Sequence, residues 1–413
     1  MKKRMGWKVR LLLILSLYLN KSWEKERMSK WADYKIGDIC CEIYSGGTPS
    51  TTHPEYWNGE YNWLSSGETS NRYIFKTEKT ITQKGIDKSS TKLAKFGSLV
   101  IASAGQGKTR GQVSILRCDA YINQSIIALT GKPELLDTTF LFYNILLRYE
   151  ELRVRSDSSS TRGSITTDML KKLPILLPDL ATQKRIADIL SVYDDLIEAN
   201  NRKIELLEQM AQELYQEWFV RFRFPGYEKA KFKNGLPEGW RYGKFKDELN
   251  YFTGKLDSNA AVQNGEYCFY TCAKTIYRTN SFCFDGECVL LGGNNATGDF
   301  SLFYANEKLD AYQRTYIVTP QNMILSCVYI YFVLKDYLLQ FKTASAGVTT
   351  KFLTKEMLNK TKIVVPDEKI IFRYNTVTKN MFEQIVLLKK RNENLIAQRD
   401  MLLPRLMSGK LKV

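Results

Sequence analysis

The chain repeats itself. Residues 140–218 and 328–406 align without a gap at a constant offset of 188. Tyr143, Leu146 and Tyr149 recur as Tyr331, Leu334 and Tyr337. Met169, Leu170, Lys172 and Pro178 recur as Met357, Leu358, Lys360 and Pro366, and Ile197, Glu205, Leu207 and Leu214 as Ile385, Glu393, Leu395 and Leu402. The fronts of the copies also match, Trp31, Lys35 and Asp38 with Trp240, Lys244 and Asp247, but at an offset of 209, so the first copy carries about 21 extra residues before the shared part. A chain built twice presents two similar surfaces related by near-twofold symmetry, which suits a ligand made of two half-sites.

Each copy runs through the same order. Short apolar runs such as Leu99-Val100-Ile101, Ile126-Ile127-Ala128-Leu129 and Val289-Leu290-Leu291, bounded by Gly, Asn or Asp, read as buried strands. A helix follows around 138–152 and 326–340, then a Ser/Thr/Gly-rich loop, then a strand closing in proline, Ile175–Pro178 and Ile363–Pro366. Beyond each proline lies a long amphipathic segment. In the first, Leu190, Ile197, Ile204, Ala211 and Trp218 recur every seven residues, with Tyr193, Asn200, Leu207 and Leu214 three positions on. In the second, Met381, Leu388, Leu395 and Leu402 form one line, and Ile385 and Asn392 the other. These are heptad seams. Helices of roughly 35 residues would be about 50 Å long, and two matching seams are most simply buried against each other. Asn200 and Asn392 either fix the register of that seam or face solvent. The first long helix is expected to stop at Pro225-Gly226. The alternating Trp218–Phe224 stretch reads as half-buried rather than as a base-stacking strip. The chain as a whole is expected to form two repeated, pseudo-twofold units that mix short strands with helices, each ending in a long helix.

At 413 residues there is room for two or three domains. The formal charge of +16, with 60 basic and 44 acidic residues, favours a polyanion, nucleic acid first. Eight cysteines without metal spacing and a single histidine, His53, argue against zinc and disulfide frameworks and fit a reducing cytoplasm. The basic N-terminus and the apolar run Leu11–Leu19 resemble a signal peptide, but no small-residue cleavage site follows. The run is also well short of the roughly 20 residues a spanning helix needs. Met28-Ser29-Lys30-Trp31 is the more natural start, so residues 1–27 are expected to be a disordered upstream-start extension.

Catalytic signatures are weak. Ala102–Thr109 nearly matches a phosphate-binding loop, but the following Arg110–Ile115 alternates like a strand instead of opening a helix, and the equivalent Gly292–Gly298 lacks the lysine. A glycine-rich hairpin carrying Lys108 and Arg110 toward a DNA backbone is the better reading. A base methyltransferase acting on exocyclic amines would carry Asn/Asp-Pro-Pro-Tyr/Phe, and none of the ten prolines here are adjacent. The acidic residues after Pro178 and Pro366 sit where a helix starts, as capping and dipole effects favour.

Three stretches then carry a family resemblance. Ser45–Ser50 with Glu55-Tyr56-Trp57 and Trp63 resembles the opening of a target-recognition domain. Asn200–Met210 running into Leu214-Tyr215 and Trp218-Phe219 resembles a central conserved region, and Arg399–Leu411 a distal one. In that order, over residues 28 to 413, they resemble the specificity subunit of type I restriction–modification enzymes. The resemblance implies an α/β (α+β) fold, two repeated target-recognition domains at 28–180 and 236–368 separated by two long antiparallel coiled-coil helices, pseudo-twofold, with a central helix at 181–220, a linker at 221–235, and a distal helix and tail at 369–413. Each domain would read one half of a bipartite site in double-stranded DNA, and the helices would set the spacer and dock two modification (methyltransferase) subunits. The chain itself would be non-catalytic. S-adenosylmethionine, ATP and Mg2+ would belong to the modification subunits and to restriction subunits that translocate and cut. The second domain lacks the Gly-Gly-Thr-Pro pattern, so the two halves should read different sequences.

Candidate DNA contacts are Arg162 and Ser160 in the loop Ser158–Ser164, Lys351 and Thr350 in its counterpart Ser345–Lys351, then Lys108, Arg110, Asn71, Arg72, Lys274 and Arg278. Candidate helix–helix contacts are Leu190, Ile197, Ile204, Leu207, Leu214, Ile385, Leu388, Leu395 and Leu402. A coiled-coil scaffold that never touches DNA is the competing class.

Overall fold

The computed structural model describes residues 31–105, 107–157, 163–322, 324–345 and 350–413; the extension expected at 1–27 lies outside them. Five longer helices organise the described residues: α1 (Thr138–Leu147), α2 (Tyr149–Asp157), α3 (Leu180–Tyr215), α4 (Cys327–Ala344) and α5 (Glu368–Met407). The chain divides into two units. One runs to Ile197 and includes Asn394–Val413; the other is Glu198–Glu393.

In the first unit a five-stranded sheet runs in the order Cys40–Ser45, Ile126–Gly131, Leu99–Ala102, Val113–Leu116, Tyr73–Ile74. Its central strands are buried on both faces, which is why they read as unbroken apolar runs. Alternate residues serve different cores. Leu99, Ile101, Ile127 and Leu129 face α1 through Phe140 and Tyr143. Val100, Ile126 and Ala128 meet Leu64, Ile74 and Ile122 on the other side, where a separate four-stranded sheet contributes. The Asp137 carboxylate starts α1 by accepting from Phe140 N–H at 2.8 Å. Ala32–Lys35 pairs antiparallel with Pro174–Leu177, the strand that leads into α3. Ile186 and Leu190 of α3 and Leu403 and Leu406 of α5 complete this core. Pro404 does not end α5. The helix continues to Met407 and closes at Gly409, whose φ of 63° is left-handed.

The second unit repeats the plan with one six-stranded sheet, ordered Leu249–Thr253, Thr315–Pro320, Phe284–Gly292, Leu302–Ala311, Tyr267–Tyr270, Tyr277–Thr279. Val289, Leu291 and Val318 face α4, and Cys288, Leu290 and Ile317 face a smaller core. The Ser326 hydroxyl caps α4 by accepting from Tyr329 N–H at 3.2 Å. Arg241–Lys244 pairs with Lys362–Val365 ahead of α5, as Ala32–Lys35 does with its partner ahead of α3. Within this unit α3 and α5 are antiparallel: Asn200 lies beside Asn392, Glu208 beside Lys389 and Trp218 beside Tyr374.

The first long helix ends earlier than its sequence suggests. After Tyr215 the backbone widens into a π turn, Gln216–Val220, and Phe222 turns left-handed at φ 57°. Phe219 and Phe224 are buried with their rings tilted against Trp240, centres 5.8 and 5.1 Å away, while Arg221 and Arg223 pair with Glu217. Aromatic burial, not helix propensity, fixes this stretch. Of the seam residues, Leu190, Ile204, Ile385 and Leu388 are buried, and Ile197, Leu207, Leu214, Leu395 and Leu402 are half-buried.

Candidate nucleic-acid interface

The glycine-rich segment after Leu99–Ala102 is a hairpin. Val113–Leu116 returns antiparallel to Leu99–Ala102, and Gly111 N–H donates to Ala102 O at 2.9 Å. Among the described residues no helix opens there, so they do not form the nucleotide-loop geometry. The hairpin is clamped by α2: Tyr149 OH donates to Lys108 O at 2.6 Å, and Arg153 Nη1 to Arg110 O at 3.1 Å. The Lys108 side chain remains exposed. Arg110 turns inward, only 7% exposed, with Nη2 2.5 Å from the Asp157 carboxylate. A Cβ at Gly163 would lie 1.5 Å from Arg110 Nη1, so this position admits only glycine while Arg110 holds its place. Ile165 N–H and Ser164 Oγ both donate to Ser103 O, at 2.9 and 3.4 Å. The end of the Ser158–Ser164 loop is therefore fastened to the base of the hairpin. Ser160 and Arg162 lie outside the described residues.

The second unit joins the same two segments in its own way. Asn294–Asn295 pairs antiparallel with Lys351–Phe352, and Leu353 N–H donates to Gly293 O at 2.9 Å. Lys351 is half-buried and donates to Ser345 O at 3.3 Å; Thr350 beside it is half-buried too. Residues 346–349 lie outside the described set. Lys274 is exposed on the rim of a groove of about 540 Å³ that is also lined by Phe303, Tyr331, Lys335 and Lys342. Arg314 is exposed, with its guanidinium 5.2 Å from the Phe352 ring centre. Lys342 is tied to Asp299 at 2.7 Å. That contact, ahead of the Thr297 hydroxyl, holds the Asp299 carboxyl below its usual range. Sequence reading missed Lys335, Lys342 and Arg314. The first two were detectable, being seven residues apart on one face of α4; Arg314 depends on where a hairpin places it.

Three of the proposed contacts have other partners. Besides Arg110, Arg72 reaches Asp194 at 3.3 Å, and Arg278 pairs with Glu393 at 3.2 Å. Each is a positive side chain whose neighbouring carboxylate comes from a distant part of the sequence. Asn71 is exposed, while its backbone carbonyl accepts from Ser114 Oγ at 2.5 Å.

Asp194 is the centre of a buried cluster that the sequence did not reveal. It is 2% exposed on α3, and accepts from Tyr143 OH at 2.6 Å, from Arg72 and from Arg399 of α5. Arg399 is equally buried and also holds Asp400 at 2.7 Å. Burial alone would lower the Arg399 pKa, but Asp194 and Asp400 outweigh it and the value is raised. For Arg72 burial wins and the value is lowered. Burial, reinforced by Asp194, pushes the Tyr143 phenol well above its usual range. In the second unit the Asn200 amide donates to Asn392 Oδ1 at 2.7 Å, and Asn392 donates to Asn201 Oδ1 at 2.8 Å. Of the two openings left by sequence, the asparagines take the seam.

Comparison with known proteins agrees with this architecture. The family model for the type I restriction modification DNA specificity domain matches residues 28–209 and again 237–392. The chain belongs to that family. It is similar to the type I restriction enzyme MjaIX specificity subunit of Methanocaldococcus jannaschii, 26% identical over 416 residues, covering 93% of this chain and 94% of that protein. It also resembles the type I restriction enzyme HindI specificity subunit of Haemophilus influenzae, 22% identical across 93% of this chain and all of the other. Among solved structures, the S subunit of a type I restriction-modification system from M. genitalium shares the fold, with a TM-score of 0.57 at 18% identity over 91% of this chain and 96% of that one.

Proposed function

We propose that this chain chooses the DNA sequence on which a type I restriction–modification complex acts, each unit reading one half of a bipartite site. The observation that carries the reading is the repeated meeting of a glycine-rich hairpin with a Ser/Thr-rich loop, next to exposed lysines, once in each unit. Short side chains let a backbone come close to DNA, and lysines such as the exposed Lys108 and Lys274 supply the phosphate contacts that dominate affinity. Lys108, Lys274, Lys351, Thr350, Ser160, Arg162, Asn71 and Arg314 are the proposed contacts. Arg110, Arg72 and Arg278 act as struts that hold the reading segments in place. The target-recognition domains are 28–180 and 236–368, and the linker 221–235 leads from the central helix into the second. The helical segments 181–220 and 369–413 set the gap between half-sites and dock two modification subunits.

In this reading the chain performs no catalysis. S-adenosylmethionine, ATP and Mg2+ serve the modification and restriction subunits in the cytoplasm. No helix among the described residues is long and apolar enough to cross a membrane. The test is binding of duplex DNA by the chain assembled with its modification subunits, measured over a salt series. Affinity should fall log-linearly, with a slope of about −0.9 per phosphate contact. Assembly with the partners but no duplex binding, at any salt concentration, would favour a coiled-coil scaffold instead.

A further inference from the structure

We propose that the buried polar residues of α3 and α5 form a pairing code, which admits each helix to the other but rejects the same helix from a second copy of this chain. The two helices descend from one repeat, so their apolar seams are alike and a like-with-like pair is a real competitor. Their polar seam residues, however, occupy non-equivalent positions. At the offset of 188, Asp194 corresponds to Phe382, Ala211 to Arg399, Asn200 to Leu388, and Ile204 to Asn392. In the folded chain Asp194 meets Arg399, and Asn200 meets Asn392. Phe382 and Ala211 share an apolar core.

Pairing α3 with α3 of another copy puts Ala211 where Arg399 should stand, and Ile204 where Asn392 should. Asp194 then loses its buried guanidinium partner, and Asn200 its amide partner. Pairing α5 with α5 sets Arg399 against Phe382, and Asn392 against Leu388. In both wrong pairs each of these polar groups meets hydrocarbon in place of its partner on the facing helix, and a buried charge or amide that loses a partner is disfavoured far more than a satisfied pair is favoured. One polar contact would fix register alone. Two contacts at complementary, non-equivalent positions also separate self from copy.

The test co-expresses two differently tagged full-length chains and measures how much of one copurifies with the other. Wild type is compared with a chain carrying Asp194→Phe, Arg399→Ala, Asn200→Leu and Asn392→Ile, each replacement being the residue the other repeat already holds. Exchange of unlike helices is open to both proteins, so the excess in the variant reports like-with-like pairing. The expected result is at least a tenfold rise in mixed-tag dimer. A folded variant with an unchanged dimer fraction overturns the proposal, as does a wild type that dimerises equally. If the quadruple variant does not fold, the Asn200→Leu/Asn392→Ile pair decides, with a rise of about threefold expected and no rise overturning the code. The same pair is read against its two singles. Mutual dependence requires the double to unfold at higher denaturant than either single, and a double no better than the worse single also overturns it.

Discussion

At equivalent places in the two repeats, the contact with the long helices is made by opposite chemistry. In the first unit Tyr143 of α1 donates to Asp194, which also holds Arg72 and Arg399. In the second, the matching Tyr331 lies 6.1 Å from the ring of Phe382, which Tyr304 approaches at 4.6 Å. The tyrosine is kept while its partner changes from carboxylate to phenyl, and the residue on the other helix from guanidinium to methyl. The backbone plan therefore tolerates either solution. What differs is the response to damage: an apolar contact loses stability in proportion to what is removed, whereas a buried ion cluster depends on every member being present.

The sharpest way to break the comparison is Arg399→Ala. It strands Asp194 with Arg72 and Tyr143 alone, and should cost about 3–5 kcal/mol in denaturant unfolding of the full chain. A cost below about 1 kcal/mol would show the cluster to be less demanding than its burial implies. Phe382→Leu, the corresponding thinning of the apolar contact, should cost about 1–2 kcal/mol by the same measurement. Asp194→Phe combined with Arg399→Ala removes the two facing charges together, leaving Arg72 and the Tyr143 hydroxyl without their acceptor, and should cost less than Arg399→Ala alone.

The reading segments allow a parallel contrast. Lys108→Ala and Lys351→Ala should each lower the magnitude of the salt slope of DNA binding by about 1. Arg110→Ala should leave that slope unchanged, because its guanidinium is spent on Asp157. An equal slope change from Arg110 would return it to the DNA surface. The smallest expected effect is at Glu151. Burial alone would raise its pKa, but Arg148 and then Arg155 hold it below the ordinary 4.5. Its contribution is thus present above 4.5 and lost as the pH falls through the lower folded value. Glu151→Gln should be slightly less stable than wild type near neutrality and converge with it in acid. The second repeat has Leu339 at this place and should show no such component.

What sequence could show follows from which signals are local. The seams were legible because a heptad period survives any tertiary context, and the sheet cores because strands buried on both faces become unbroken apolar runs such as Leu99–Ala102. The end of α3 was not, since the π turn at Gln216–Val220 answers to the packing of Phe219 on Trp240 and Tyr374. The partners of the arginines were hidden for a related reason. Arg72, Arg110 and Arg278 find carboxylates 122, 47 and 115 residues away, and no local pattern announces such a pairing. Asp194 and Arg399 look like ordinary helix-surface charges until the two helices are laid side by side.

The central claim is that two related heads read two separate half-sites. Its most direct test is to map the adenines methylated by the assembled complex on a library of randomised duplexes. The account predicts one motif made of two dissimilar short halves, separated by an unspecified gap of constant length. A single continuous motif, or two halves found at freely varying separations, would contradict it.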